Sequence, residues 1–328
     1  MLIDSYNRPI RYLRISVTDR CNLRCVYCMP ACGIEQKEHE AILRYEEIVR
    51  VVEIAVAHGI NSVRITGGEP LVRKGVVELV RMLAQIEGLE DLSMTTNGIL
   101  LEEFAQPLAE AGLKRVNVSL DTLDREKFRR ITRGGKLQKV WRGILAAEQA
   151  GLMPLKINTV VMRGVNEDEI LDLARLSLDH PWHIRFIEWM PINYLPNLDF
   201  KELEQESFFV PVEIIYQKLI GLNLEPVDGD RGYGPARLFR PQNGIGLIGI
   251  IAAVSEHFCD RCNRLRLTAD GKLRPCLFSN EEIDLFSALR SGDEILPLFL
   301  KAIQQKPGGH RLGIQPYHSS RNMSEIGG

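Results

Sequence analysis

Hydrophobic and polar positions change their period in a regular order through the first two-thirds of the chain. Short β-branched runs alternate with longer segments whose apolar residues recur every three or four positions. Tyr12–Val17 reads as a strand. Tyr45–Ala57 reads as a helix, with Ile48, Val51, Val52, Ile54 and Ala55 on one face and Gly59 as its stop. Ser62–Thr66 is the second strand and Val76–Ile86 the second helix. Leu92–Thr96 runs into the turn signal Asn97-Gly98, and Glu102–Ala111 follows as a helix stopped by Gly112. Arg115–Leu120 alternates like a strand, and Asp124–Arg130 and Gln138–Ala150 are helical. Leu155–Val161, Glu167–Leu178, His183–Trp189 and Val212–Leu219 complete six strand–helix units.

That order predicts an α/β fold with a parallel sheet and helices packed outside it. Six units can curl into an incomplete (β/α)6 TIM-type barrel or lie flat as a doubly wound sheet. In both, chemistry belongs to the loops after the C-terminal strand ends. The pattern changes beyond Asn193: Asn193–Phe208 reads as loop, and from Leu224 onward Gly, Pro and short apolar runs dominate. A barrel domain over 1–225 and a smaller C-terminal domain over 226–328 are expected, with a polar, Gly-rich tail.

Composition narrows the class without fixing the chemistry. Of 328 residues, 45% are hydrophobic, 26% charged and 7% aromatic, with a net charge of −2. This is an ordinary globular composition with ample core material, and its balance argues against a general nucleic-acid binder. The longest apolar run, Gly244–Val254, falls well short of the roughly 20 residues of a membrane span. Met1–Tyr12 lacks the apolar core of a signal peptide. A cytoplasmic protein, monomeric or homodimeric, is expected, with its cysteines kept as thiols.

Seven cysteines are present, and six fall into two triplets. Cys21, Cys25 and Cys28 form C-x3-C-x2-C after the first strand. Cys259, Cys262 and Cys276 form C-x2-C-x13-C. A structural zinc site wants four protein ligands, whereas three thiolates on a cubane iron–sulfur cluster leave one iron open. Two triplets point to two 4Fe–4S clusters, each able to ligate a small molecule. Zinc remains an alternative reading: Cys32 could complete the first tetrahedron, and C-x2-C is common in zinc modules. Arg264 and Arg266 follow the second pair on alternate residues, so on a strand they share a face. Guanidiniums there suit phosphate or purine acceptors; the plainer reading is a pair of surface arginines.

The first triplet, with Tyr27 between its last ligands, resembles the radical S-adenosylmethionine (SAM) superfamily signature, and Gly67-Gly68-Glu69-Pro70 after the second strand is similar to that superfamily's second hallmark. Glycines permit close backbone approach to a ligand, and Glu69 with the adjoining backbone is expected to orient the ligand's amino group. The resemblance narrows over Leu13–Pro30. This segment, the C-x2-C-x13-C group, the Cys-Asn-Arg-Leu-Arg run and the terminal Gly327-Gly328 together resemble the GTP 3′,8-cyclase family of molybdenum cofactor biosynthesis.

That resemblance implies that the first cluster cleaves SAM and that the resulting 5′-deoxyadenosyl radical takes the 3′ hydrogen of GTP. The sugar then closes on C8 of the base, which the second cluster holds. Tyr27, Gly68, Ser119 and Met190 are implied to contact SAM. Arg14, Arg64, Thr95, Lys156, Arg264, Leu265 and Arg266 are implied to contact GTP. Arg14, Arg264, Arg266, Gly327 and Gly328 are implied in catalysis, the Gly-Gly tail by entering the active site. Implied partners are an electron donor such as flavodoxin or ferredoxin and the downstream cyclic pyranopterin monophosphate synthase. The competing readings are a peptide-modifying radical maturase with an auxiliary cluster and a non-catalytic zinc-binding scaffold.

Overall fold

The computed structural model describes residues 1–192, 208–227, 234–310, 312 and 319–327. Most of the expected loop after Asn193, and Gly328, lie outside the described residues. The alternation read from the sequence is present as β1 (Tyr12–Ser16), α1 (Tyr45–Ala57), β2 (Ser62–Thr66), α2 (Val76–Ala84), β3 (Asp91–Thr96), α3 (Leu101–Glu110), β4 (Arg115–Ser119), α4 (Arg125–Thr132), α5 (Leu137–Gln149), β5 (Lys156–Val161), α6 (Ile170–Asp179), β6 (His183–Glu188) and α7 (Val212–Leu219). Strands β1 through β6 pair consecutively and in parallel. This is the incomplete TIM-type barrel expected above.

Side chains of a strand alternate between faces, and here the two faces differ in kind. Leu13, Ile15, Val63, Ile65, Met94, Val116, Val118, Ile157, Ile184 and Phe186 face the helices and join one core with Val51, Val52, Leu79 and Ile144. The intervening residues are Tyr12, Arg14, Ser62, Arg64, Ser93, Arg115, Asn117, Lys156, Asn158, His183 and Arg185. An ordinary TIM barrel fills its inside with layers of branched apolar side chains. This one carries polar and cationic groups there, nearly all of them buried.

The C-terminal segment contributes β7 (Glu225–Pro226), β8 (Arg237–Arg240), β9 (Leu247–Ile251), β10 (Arg264–Leu267), β11 (Lys272–Arg274), β12 (Ile283–Asp284), α8 (Leu285–Ser291), α9 (Leu296–Gln304) and α10 (Met323–Ile326). All the strands form one sheet, in the order β12-β11-β10-β1-β2-β3-β4-β5-β6-β9-β8-β7. Strand β9 extends the barrel in parallel beyond β6, and β10 extends it in parallel beyond β1. The segment after residue 225 therefore continues both edges of the barrel, and the connection between β9 and β10 carries Cys259 and Cys262. Among the described residues, no helix is long and apolar enough to cross a membrane.

Ile248 on β9 is fully buried in the same core as Ile184 and Trp182 of the barrel. Its truncation removes contacts from a packed interior, which costs about 2–5 kcal/mol. Ile248→Ala is expected to lower the urea midpoint reported by the fluorescence of the barrel tryptophans. An unchanged midpoint would mean that the C-terminal strands unfold independently of the barrel.

Candidate functional site

The loop carrying Cys21, Cys25 and Cys28 leaves the C-terminal end of β1 and is laced to the end of α4. The Arg24 amide donates to Thr132 (3.1 Å) and the Val26 amide to Ile131 (2.9 Å). Arg133, in left-handed backbone after α4, donates to the carbonyls of Arg24 and Met29, both at 3.1 Å. These bonds fix the loop before any ligand arrives. The three cysteines are free, half-buried thiols. Cys21 Sγ accepts from the Leu23 amide at 3.4 Å and from Asn97 Nδ2 at 3.8 Å. Burial pushes Cys25 well above its ordinary value, and Cys28 and Asp121 push it further. Burial and Cys21 drive Cys28 up to about 12, against the pull of the Ser324 amide. Thiols so placed resist ionisation in each other's company, and bound metal reverses that by supplying positive charge. The donor set therefore fits a thiolate-ligated cluster with one position left to a non-protein ligand.

The Gly67–Pro70 turn lies directly against this loop. The Gly68 amide donates to Thr18 (2.8 Å) and the Glu69 amide to Arg20 (2.9 Å). A Cβ at Gly68 would come within 2.4 Å of the Arg20 carbonyl oxygen, so only glycine allows the approach. Glu69 is tied to the protein on three sides. Its fully buried carboxylate accepts from the Leu71 amide (3.0 Å), the Thr96 hydroxyl (2.8 Å) and the Asn97 amide (2.6 Å). Burial pushes it up to about 7, against those three donors. Glu69 braces the ends of β2 and β3 against each other. Tyr27 is held by its hydroxyl, which donates to Asp121 at 2.7 Å. Burial raises Asp121 to about 6 although Tyr27 and the Val160 amide draw it down.

The second triplet faces the first. All six ligand candidates line a single cavity of about 270 Å³ together with Tyr27, Gly68, Thr95, Ser119, Met190, Arg14, Arg64, Arg264 and Arg266. Between the triplets, Arg14 stands in register with Arg64 on one neighbouring strand and with Arg266 on the other. Three guanidiniums thus lie side by side on adjacent strands. Burial lowers Arg14 to about 10, and Arg64 and Arg264 contribute. Burial, Arg14 and Arg264 hold Arg266 well below its usual range. Arg64 Nε donates to Ser93 (3.2 Å) and lies over the Tyr12 ring. Among the described residues, no carboxylate forms an ion pair with Arg64 or Arg266. Burial would raise the Cys262 thiol, but Arg264 and Lys306 outweigh it and bring Cys262 down to about 6.

Lys156 is not among the residues that line the cavity, although Asn158, two residues on along β5, is. Burial lowers Lys156 to about 6, with Arg185, Arg115 and Arg64 adding to the effect. Leu265 points away from the cavity into the main core, which leaves its backbone as the part near Arg264 and Arg266. The tail does reach the barrel. Arg266 Nη1 donates to the Gly327 carbonyl at 2.6 Å, and a Cβ on Gly327 would fall 2.6 Å from Thr66 Cγ2. Gly328 lies outside the described residues. The sequence reading passed over Arg185, Asn158 and Lys306, which line the cavity. It also passed over the buried side chains of Tyr12 and Asn117. The amide of Asn117, the Asn158 oxygen and the hydroxyls of Tyr12 and Thr95 are buried with no hydrogen-bond partner among the described residues. Inward-facing polar residues at every second strand position were the available signal.

Comparisons with known proteins agree with this geometry. The sequence profile of the radical SAM superfamily matches residues 15–177, and that of Molybdenum Cofactor Synthesis C matches residues 182–312. A GTP 3′,8-cyclase of Moorella thermoacetica is 52% identical over 99% of both chains. One of Heliobacterium modesticaldum is 50% identical over 100% of both. Among solved structures, Streptococcus suis SuiB bound to S-adenosylmethionine superposes with a TM-score of 0.62 at 14% identity, covering 88% of this chain and 66% of that one. Native anSMEcpe with bound AdoMet and Cp18Cys peptide gives a TM-score of 0.56 at 17% identity, covering 94% of this chain and 84% of that one. At such identities the two structures speak to the fold alone. With full-length identity near one half, and with both family profiles in their expected order, the chain belongs to the GTP 3′,8-cyclase family of radical SAM enzymes.

Proposed function

We propose that the chain cyclises GTP to (8S)-3′,8-cyclo-7,8-dihydroguanosine 5′-triphosphate, the first step of molybdenum cofactor biosynthesis, with SAM as the radical source. The observation that carries this reading is two thiol triplets opening on one cavity across an in-register row of arginines. Cys21, Cys25 and Cys28 would hold the first 4Fe–4S cluster, and Cys259, Cys262 and Cys276 the second. Clusters held there would supply, at the first triplet, an electron for cleaving SAM and, at the second, a metal site for the guanine edge.

The chain's own residues supply position and charge. Tyr27, fixed by Asp121, and Gly68, Ser119 and Met190 form the SAM side of the cavity. Arg14, Arg64 and Arg266 offer paired donors to the triphosphate, with Thr95 and the Leu265 backbone beside them and Arg264 nearer the base. Gly327 accepts from Arg266 and so fixes one guanidinium of the row. An acidic one-electron carrier such as flavodoxin or ferredoxin is the proposed reductant, and cyclic pyranopterin monophosphate synthase the proposed consumer of the product.

Anaerobic incubation of the reconstituted protein with GTP, SAM and reductant is the direct test. Loss of GTP together with 5′-deoxyadenosine and an acid-labile pterin precursor is expected; 5′-deoxyadenosine without loss of GTP would contradict the reading. Cys276→Ala is expected to keep the first cluster and SAM cleavage while cyclisation falls at least a hundredfold.

The charge on Lys156 yields a pH prediction. With its value depressed to about 6, the amine is largely neutral at pH 7.5 in the empty barrel. A nearby triphosphate favours the ammonium, so GTP binding takes up a proton. Calorimetry in buffers of different ionisation enthalpy is expected to detect that uptake, and Lys156→Met to abolish it. Uptake that persists in the variant would place the proton elsewhere.

Gly327 tests the tail. Its φ of +71° is a left-handed conformation, and a methyl group would meet Thr66 as well. Gly327→Ala is expected to reduce cyclisation at least tenfold and to speed carboxypeptidase attack on the C-terminus. Unchanged turnover would separate the tail from the reaction.

A further inference from the structure

Two further cations, Lys306 and Arg8, hold the chain around the Cys259–Cys262–Cys276 triplet and are not part of the arginine row. Lys306 follows α9 and is only 3% exposed. Its Nζ donates to the Arg264 carbonyl (2.8 Å), the Pro275 carbonyl (2.8 Å) and Cys262 Sγ (3.4 Å). An ammonium has three donors, and all three are used. Two of the acceptors belong to the Cys262–Arg264 stretch, and the third precedes Cys276. One side chain therefore sets the distance between two ligand-bearing segments.

The turn that presents Lys306 is itself pinned. Arg8 is 5% exposed. It donates to the Pro307 carbonyl (2.7 Å), the Gly308 carbonyl (3.0 Å) and the Cys259 carbonyl (2.5 Å), while its Nε pairs with Asp4 (2.6 Å). Arg8 and Lys306 together grip the chain at all three ligand positions. Their charges are treated differently. Arg8 has Asp4, whereas among the described residues no carboxylate pairs with Lys306. An ammonium buried without a counter-charge is costly, and the only anionic candidate among its acceptors is the Cys262 sulfur.

We infer that Lys306 is a positioning residue for the second cluster: it sets the spacing of Cys262 and Cys276 and holds a fixed positive charge against the cluster that favours its reduced form. The inference rests on the proposal that this triplet holds a cluster. Hydrogen bonds to sulfur and local net charge set the potentials of such centres. Reduction adds an electron, so a cation at contact distance raises the potential. Lys306 then acts on the second centre alone, because it lies against that triplet and not against the first.

The test is an anaerobic redox titration of the fully loaded protein followed by electron paramagnetic resonance, with wild type, Lys306→Met and Lys306→Arg compared. The first cluster serves as the internal standard. In Lys306→Met, the reduction equilibrium of the second cluster is expected to fall at least tenfold, about 59 mV for a one-electron couple, with the first cluster unmoved. Lys306→Arg is expected to recover most of that shift. An unmoved second potential in a fully loaded Lys306→Met protein overturns the inference. If Lys306→Met does not load the second site, Lys306→Gln decides. Loading by Lys306→Arg but not by Lys306→Gln supports the role of the charge, and equal loading by both overturns it. Wild-type protein with iron at the first triplet alone would overturn the underlying cluster proposal, and that result is read before any variant is made.

Discussion

Guanidiniums held side by side away from water repel one another and lose hydration, and the rest of this molecule is arranged around that cost. Arg266, Arg14 and Arg64 occupy one level of three adjacent strands. Partial compensation comes from neutral groups: Ser93 and the Tyr12 ring for Arg64, and the Gly327 carbonyl for Arg266. A carboxylate beside Arg64 or Arg266 would stabilise the empty barrel and would also compete with a polyanion for the same donors. Two strands further round, in register with Arg64 through Ser93, the situation differs, because Arg115 is paired with Asp91 through Nε at 3.0 Å. Among the described residues Arg115 is charge-paired, whereas Arg64 and Arg266 have no ion-paired carboxylate. A site of this kind gives up some stability for affinity.

The sheet order brings the chemistry to that row. Strand β10 could have lain in a separate layer, yet it pairs in parallel with β1 and brings Arg264 and Arg266 level with Tyr12 and Arg14. The second triplet then sits on the same rim as the first although the two are far apart in sequence. Gly68 allows the neighbouring turn to close on the first cysteine loop, and α10 brings the Ser324 amide to Cys28. The tail therefore touches both the first triplet and the arginine row, a placement that couples the chain terminus to both ends of the cavity.

The six strand–helix units were legible because periods of 2 and 3.6 differ over a few residues, and both cysteine triplets were legible from spacing. The pairing of β9 with β6 and of β10 with β1 was not, since long-range strand neighbours leave no local signature. For the same reason the sequence presented the C-terminal segment as an attachment rather than as the two edges of the barrel sheet. Lys306 opens a polar, Gly-rich final segment and drew no reading of its own; only its three acceptors identify it. The motif pointed to Glu69 as an acid near a ligand, but its burial and its three donors, which brace β2 against β3, were not legible. Asn117 and Asn158 were hidden by being ordinary polar residues in strands. Their lumen-facing phase was visible, but that the Asn117 amide and the Asn158 oxygen find no partner among the described residues was not. Lys156 was expected beside GTP; its burial among Arg185, Arg115 and Arg64 was not legible.

The central claim is that two thiolate triplets hold two open-cornered iron clusters on either side of a cationic slot made for a nucleoside triphosphate. Mössbauer spectroscopy of isotope-enriched protein, loaded without oxygen and measured with and without GTP, tests it most directly. The account predicts iron for two cubane clusters per chain, and a GTP-induced change confined to the cluster at Cys259, Cys262 and Cys276. Iron for a single cluster, zinc at the second triplet, or a second cluster whose spectrum ignores GTP would contradict it.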